Sequence, residues 1–178
     1  MSGIMNKIYV TYEEIHRLVK KIATDIINDK WKPDCIVGIA AGGFIPARIL
    51  RNFIKKDIYI VGLKRYTDEE EAHSTPIKIQ WIDEIEKKLK NKKILLVDEI
   101  DDTRITLSYC LNELLKNHPA EIRIAVLHQK SKEKKAKFPD KINKIYLGSI
   151  VPDTWIKYPW DALDIDEHNK MCNIKDLS

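Results

Sequence analysis

Apolar residues along the chain alternate between two periods. Ile15, Leu18, Val19, Ile22 and Ile26 recur at helical spacing behind Thr11 and Glu14, which have the spacing of a capping box, and Pro33 and Asp34 end that unit. Cys35–Ala40 is then a short, almost wholly apolar run, as expected of a strand buried on both faces. It leads through Ala41-Gly42-Gly43 into a predicted helix from about Phe44 to Lys55. Ile58–Leu63 predicts the next strand, and Ile82, Ile85 and Leu89 a helix. Lys93–Val97 predicts a strand that ends in acids, and Leu107, Cys110, Leu111, Leu114 and Leu115 form one helical face. Ile122–Leu127 and Lys144–Gly148 are further strands. Strands alternating with helices predict an α/β fold, an open and mainly parallel sheet flanked by helices. The polar stretch between Lys64 and Pro76 has no periodicity and reads as a long connection, either a functional lid or partly disordered.

Composition narrows the class. The 178 residues suit a single domain, with a core over about 9–150 and a distinct segment over about 151–178. With 44% hydrophobic and 33% charged residues the chain is globular, and no apolar run approaches the roughly 20 residues that span a bilayer. The net charge is only +4, and no nucleic-acid reading motif accompanies the basic run Lys130–Lys137, which reads as a solvated turn or helix face. Cys35, Cys110 and Cys172 form no Cys-x-x-Cys pair, the five histidines have no metal spacing, and no signal peptide is evident, so a cytoplasmic location is expected.

Ligands of open α/β sheets bind beyond the carboxyl ends of the strands, and three such ends are unusual here. In Asp98-Glu99-Ile100-Asp101-Asp102-Thr103-Arg104-Ile105-Thr106, four acids crowd into five residues before a helix. Sugar hydroxyls or a magnesium ion would relieve their repulsion, and the helix start with Thr103 and Thr106 would seat a phosphate. That describes a ribose 5-phosphate site; the plainer alternative is a helix start capped by Asp101 or Asp102. Ala41-Gly42-Gly43 precedes another helix and suits a pyrophosphate, although a tight strand-to-helix turn would need the same glycines. The third end, Val151–Asp161, holds Trp155, whose indole offers a platform for a flat base, whereas Trp160 reads as core. Lys130 closes a further strand, where it could donate to a carbonyl oxygen of that base.

The segment Val97–Thr106 resembles the phosphoribosyl pyrophosphate motif of the type I phosphoribosyltransferase family. Within that family Asp153–Asp161 is similar to the purine-closing segment of bacterial xanthine-guanine enzymes. Gly42–Leu50 with Asp98–Arg104 is similar to fungal hypoxanthine-guanine enzymes. The resemblance runs from about Tyr9 to Asp161. It implies transfer of a phosphoribosyl group from phosphoribosyl pyrophosphate to a 6-oxopurine, guanine or hypoxanthine and possibly xanthine, with magnesium as cofactor. Asp98 and Glu99 would bind the ribose hydroxyls and the metal, and Asp102 would manage a proton on the purine's imidazole side. Asp101 to Thr106 would hold the sugar phosphate, and Ala41, Gly42 and Gly43 the leaving pyrophosphate. Lys130 would bond the 6-oxygen, Trp155 stack on the base and the Ile156 backbone read the 2-position. Arg65 to Thr75 would close over the site, and a homodimer or homotetramer is implied. Two departures stand out. Many relatives have glycines at Arg104 and Ile105, and since β-branched Ile105 resists positive φ, ordinary backbone angles are expected in this loop. Bacterial relatives have a basic residue where Ala41 stands, for which Lys64, Arg65 or Lys78 would compensate. The competing reading is a non-catalytic sensor of phosphoribosyl pyrophosphate or nucleotide with the same fold. Asp102 and Lys130 argue against it, because a sensor of sugar phosphate needs neither. A dinucleotide-binding domain lacks its glycine fingerprint.

Overall fold

The structure, a computed structural model, describes residues 7–66 and 72–173, and of residues 65, 66, 72–74 and 173 the backbone alone. In chain order the elements are β1 (Lys7–Tyr9), α1 (Tyr12–Asn28), β2 (Cys35–Ala40), α2 (Phe44–Ile54), β3 (Ile58–Tyr66), β4 (Ala72–Gln80) and α3 (Ile85–Leu89). There follow β5 (Lys93–Asp101), α4 (Ile105–Leu115), β6 (Glu121–Lys130), β7 (Ile145–Val151), β8 (Trp155–Lys157), a 3₁₀ turn (Pro159–Asp161) and α5 (Ile165–Asn173). A six-stranded sheet has the order β4-β3-β2-β5-β6-β7, parallel except for the β3–β4 pair.

The central strands are apolar throughout because both faces are covered. On one face Ile36, Leu95, Val97, Ala125 and Leu127 pack with Ile15, Val19, Ile22 and Ile26 of α1 and with Leu50 of α2. On the other, Val37, Ile94, Leu96, Ile124 and Val126 meet Leu107, Leu111 and Leu114 of α4. Each fully buried Leu or Ile stabilises the fold by about 1.5–3 kcal/mol relative to exposure. Helix α1 starts as its sequence predicts: Thr11 Oγ1 accepts from the Glu14 amide at 3.1 Å, and Glu14 accepts from the Thr11 amide at 2.6 Å.

Two expectations fail. The stretch between Lys64 and Pro76 is not an irregular connection, since Lys64–Tyr66 extends β3 and Ala72–Pro76 belongs to β4. β4 is an edge strand held by antiparallel pairing, so it needs no apolar alternation and accommodates Pro76. The closing role expected of this stretch falls in part on residues 67–71, outside the described residues. Second, β5 does not stop at Val97 but stays paired with β6 as far as Asp101–Gln129, which makes the acids part of the strand.

A second, two-stranded sheet places the distinctive end of the chain. β8 pairs in parallel with β1, Trp155 opposite Lys7 and Ile156 opposite Ile8. Helix α5 is tied to the same unit where buried His168 meets the Val10 carbonyl at 2.9 Å. The tail thus forms a hood beside the carboxyl ends of β5 and β6, built jointly with the N-terminal strand.

Candidate active site

The carboxyl ends of β2 and β5 enclose a cavity of about 290 Å³, lined among others by Ala41, Gly42, Asp98, Glu99, Thr103 and Thr106. A second cavity of about 560 Å³ lies beneath the hood, lined by Glu99, Ile100, Asp102, Lys130, Trp155, Ile156, Tyr158 and Asp161. Glu99, Ile100 and Asp102 border both, so the two adjoin along the end of β5.

The four acids divide by direction. Asp98 is buried, its Oδ1 accepting from the Glu99 amide at 2.9 Å, and burial together with the neighbouring Glu99 charge pushes its carboxyl well above the usual carboxylate range. Glu99 Oε2 is buried and has no hydrogen-bond partner among the described residues. A buried orphaned carboxylate oxygen is costly unless a ligand completes it. Among the described residues no group of three or more His, Cys, Asp or Glu side chains is arranged to hold a metal ion. A magnesium ion that keeps its waters needs only one or two carboxylates plus substrate phosphates, which Glu99 and Asp98 can supply. The donor set therefore fits that ion.

Asp101 does not face either cavity. It is fully buried, and its carboxylate takes Arg104 Nη2 at 2.6 Å and Gln129 Nε2 at 2.9 Å. Its expected phosphoribosyl contact gives way to an internal one. Arg104 is correspondingly turned away: its guanidinium lies 4.0 Å from the Phe138 ring centre while bonded to Asp101, although the residue still borders the first cavity. The expectation of ordinary backbone angles in this loop is also overturned, because Arg104 takes φ 70°. The strained position is Arg104, not β-branched Ile105, which begins α4 and is absent from the cavity lining. The pairing with Asp101 and the stacking on Phe138 hold a conformation that glycine would adopt without them.

The basic run is solvated only in part: Lys135 and Lys137 are exposed, whereas Lys130 is buried and Lys132 and Lys134 are half-buried. The Lys134 ammonium donates to three backbone carbonyls, of Asp101 at 2.7 Å, Asp102 at 2.9 Å and Lys130 at 2.8 Å. Burial lowers its pKa, opposed by the Asp101 charge. Lys132 Nζ stands 2.6 Å from Asp102 Oδ1 and 3.0 Å from Asp153 Oδ1. Its approach to Asp102 lies off the hydrogen-bond direction, which leaves that buried oxygen without an aligned donor. Burial disfavours the Lys132 charge, but its two carboxylate partners more than offset this and raise its pKa.

Facing this wall, the Ala40–Ala41 peptide is cis and the two glycines differ in role. A Cβ on Gly42 would run into the Glu99 carboxyl group. A Cβ on Gly43 would stand 2.6 Å from the Ile39 carbonyl oxygen and 2.7 Å from that of Val97. Gly43 also spends its amide on the Ile39 carbonyl at 2.9 Å and does not line the cavity. Backbone packing, not a ligand, requires it. Of the candidates to replace a basic residue here, Lys78 is engaged elsewhere, 2.5 Å from Glu113 Oε2. Lys64 lies on β3, and the Arg65 side chain is outside the described residues.

In the second cavity Trp155 is 55% exposed, an indole with room for a partner, whereas Ile156 is buried. Trp160 stacks on Tyr158 with ring centres 4.6 Å apart and packs against the core. Tyr158 donates to the Glu99 carbonyl at 3.1 Å, and His128 Nδ1 meets its hydroxyl at 2.9 Å. Since the hydroxyl hydrogen is directed to Glu99, His128 carries its proton on Nδ1. Burial holds the His128 pKa down at about 4, and burial with the Glu99 and Asp98 charges raises that of Tyr158. Lys130 is buried, its Nζ 3.4 Å from Asp102 Oδ1 and 3.6 Å from Asp153 Oδ1. Sequence reasoning missed Lys132, Tyr158 and Asp161. The alternation of Lys130, Lys132 and Lys134 beyond a strand end was the only local signal for the first, and nothing local marked the other two.

Residues 9–164 match the family model of the phosphoribosyl transferase domain. Xanthine phosphoribosyltransferase 1 of Saccharomyces cerevisiae is 39% identical, over 93% of this chain and 94% of its own length. The hypoxanthine-guanine phosphoribosyltransferase of the same yeast is 37% identical, over 93% and 90%. A solved structure of a Neisseria gonorrhoeae protein with bound ppGpp superposes with a TM-score of 0.87 at 43% identity, covering 97% of this chain and 99% of that one.

Proposed function

The chain belongs to the phosphoribosyltransferase family, and from that premise we propose a reaction and a role for each wall of the two cavities. It is a purine salvage transferase that joins a 6-oxopurine to the phosphoribosyl group of phosphoribosyl pyrophosphate, releasing pyrophosphate. Guanine and hypoxanthine are the favoured bases, with xanthine a third. The observation that carries the assignment of roles is the meeting of the two cavities along Glu99 and Asp102. One side offers acids, hydroxyls and a helix start to a sugar phosphate; the other offers an indole and an ammonium to a base.

In this reading the ribose hydroxyls lie on Asp98 and Glu99, and the 5-phosphate rests at the start of α4 against Thr103 and Thr106. Ala41 and Gly42 face the pyrophosphate. Trp155 covers the base, Lys130 donates to its 6-oxygen, and the backbone at Ile156 reads its 2-position. Asp102 accepts the proton on the imidazole side as that ring bonds to the anomeric carbon. Magnesium, held by Glu99 and Asp98 with the substrate phosphates, would neutralise charge on the leaving pyrophosphate. Breaking the bond from the anomeric carbon to oxygen leaves an oxocarbenium-like centre, so orientation and electrostatic stabilisation supply most of the rate. The bound ppGpp of the Neisseria protein supports a site of this kind, since that ligand joins guanine to phosphates. The sensor reading has no observation of its own. A cytoplasmic location and a homodimer or homotetramer complete the proposal; no described helix is long and apolar enough to cross a membrane.

A spectrophotometric assay of guanine, hypoxanthine and xanthine, each with phosphoribosyl pyrophosphate and magnesium, tests the reading. A nucleotide product from at least one is expected, and no product from any of them overturns it.

A further inference from the structure

Two ammonium groups share the same two carboxylate oxygens at the edge of the base cavity. Lys132 Nζ lies 2.6 Å from Asp102 Oδ1 and 3.0 Å from Asp153 Oδ1, and Lys130 Nζ lies 3.4 and 3.6 Å from the same atoms. The tighter pairs belong to the lysine outside the cavity lining, and the looser pairs to the one within it. We propose that Lys132 is a positioning residue that keeps Asp102 and Asp153 paired, so that Lys130 is released to bond the 6-oxygen of an arriving base. The proposal rests on the reading of the hood cavity as the base site.

The physical need is plain. Lys130 cannot serve the base and both carboxylates at once without lengthening contacts that are already long. Were it the sole cation, its departure would leave Asp102 and Asp153 facing one another, and Asp102 Oδ1 is buried with no aligned donor. With Lys132 in place, two cations balance two anions before the base arrives, and one cation remains on both afterwards. The turn that presents Lys132 is fixed by its own backbone. The Ser131 amide bonds the Val151 carbonyl at 2.7 Å, the Lys132 amide bonds the Lys130 carbonyl at 3.0 Å, and the Lys134 ammonium also donates to that carbonyl at 2.8 Å. Asp153 lies two residues before Trp155, so the same ammonium that steadies the proton acceptor also anchors the strand carrying the stacking indole.

The test is steady-state kinetics on K132M, K132R, D153N and K132M/D153N, with guanine and phosphoribosyl pyrophosphate varied separately and heat-denaturation midpoints measured in parallel. For K132M the KM for guanine should rise on the order of tenfold, the loss of one charge-assisted contact. The KM for phosphoribosyl pyrophosphate should stay within about twofold, since uniform binding of that substrate is untouched. K132R should restore most of the loss. D153N should give a smaller rise, and adding it to K132M should add little, because the two report one pair. An unchanged guanine KM in a folded, active K132M overturns the proposal and leaves the transferase reading standing. An equal rise for both substrates also overturns it. A wild-type protein that makes no nucleotide overturns the transferase reading and the proposal together.

Discussion

The two walls that face each other across the first cavity are built on opposite principles. The β2 wall, Ala41-Gly42-Gly43, is made by leaving side chains out: Gly43 packs on the backbones of β2 and β5, and its amide closes a turn on Ile39. The β5 wall is made by putting charge in, and that charge is contained by Arg104, three residues on from Asp101, and by groups tens of residues away. Lys134 ties three carbonyls, Arg104 and Gln129 take up Asp101, and Tyr158 from the hood holds the Glu99 carbonyl. A wall without side chains keeps its shape through local sterics. A wall of carboxylates keeps its shape only while its partners stay in place, and of the acids that line the cavity Glu99 and Asp102 each keep a buried carboxylate oxygen without a hydrogen-bond partner among the described residues.

Breaking the β5 wall at Asp102, the proposed proton acceptor, should give the largest effect. Asp102→Asn should lower turnover about 10²-fold or more, the range of general acid–base groups, while calorimetric binding of phosphoribosyl pyrophosphate survives. Unchanged turnover would remove Asp102 from proton handling. Next, Lys134→Met removes a donor from three carbonyls, of which that of Lys130 keeps the Lys132 amide, and should cost about 2 kcal/mol of unfolding free energy in urea, roughly 1 kcal/mol for each of the other two. An effect under a third of that would mean the wall stands without it.

His128 sharpens the same contrast through pH. Its folded pKa, about 4, lies below the ordinary value of 6.5, so the folded state binds fewer protons. Its contribution is therefore complete above pH 6.5 and is lost as pH falls toward 4, a change of about 3 kcal/mol. Urea midpoints of the wild type should fall more steeply over that window than those of His128→Asn; parallel curves would dismiss the buried neutral histidine. The β2 wall is probed by its two glycines. Gly43→Ala should lower stability by about 2 kcal/mol through backbone overlap. Gly42→Ala, which meets only the movable end of Glu99, should leave the thermal midpoint nearly unchanged and raise the magnesium concentration needed for activity. Equal midpoints for the two variants would erase the distinction drawn between them.

The sequence by itself determined the parallel strands β2, β3, β5, β6 and β7, though not edge strand β4, because strands covered on both faces must be apolar and amphipathic helices must show their period. It also singled out the ends of β2 and β5, since glycine pairs and crowded acids are local features with local physical reasons, and the first cavity lies between them. What only the tertiary structure decided is which of those residues face the cavity. Asp101 reads in sequence as part of the sugar-phosphate site, yet it is spent on Arg104 and Gln129, and the left-handed residue of the loop is that arginine rather than its neighbour. Lys132 and Lys134 read as solvated charges until the turn after β6 brings them against β5, and Tyr158 is linked to Glu99 only because β8 pairs with β1. Charge is compensated through space, over contacts of a few ångströms between residues tens of positions apart, and a pattern read along the chain carries no record of those distances.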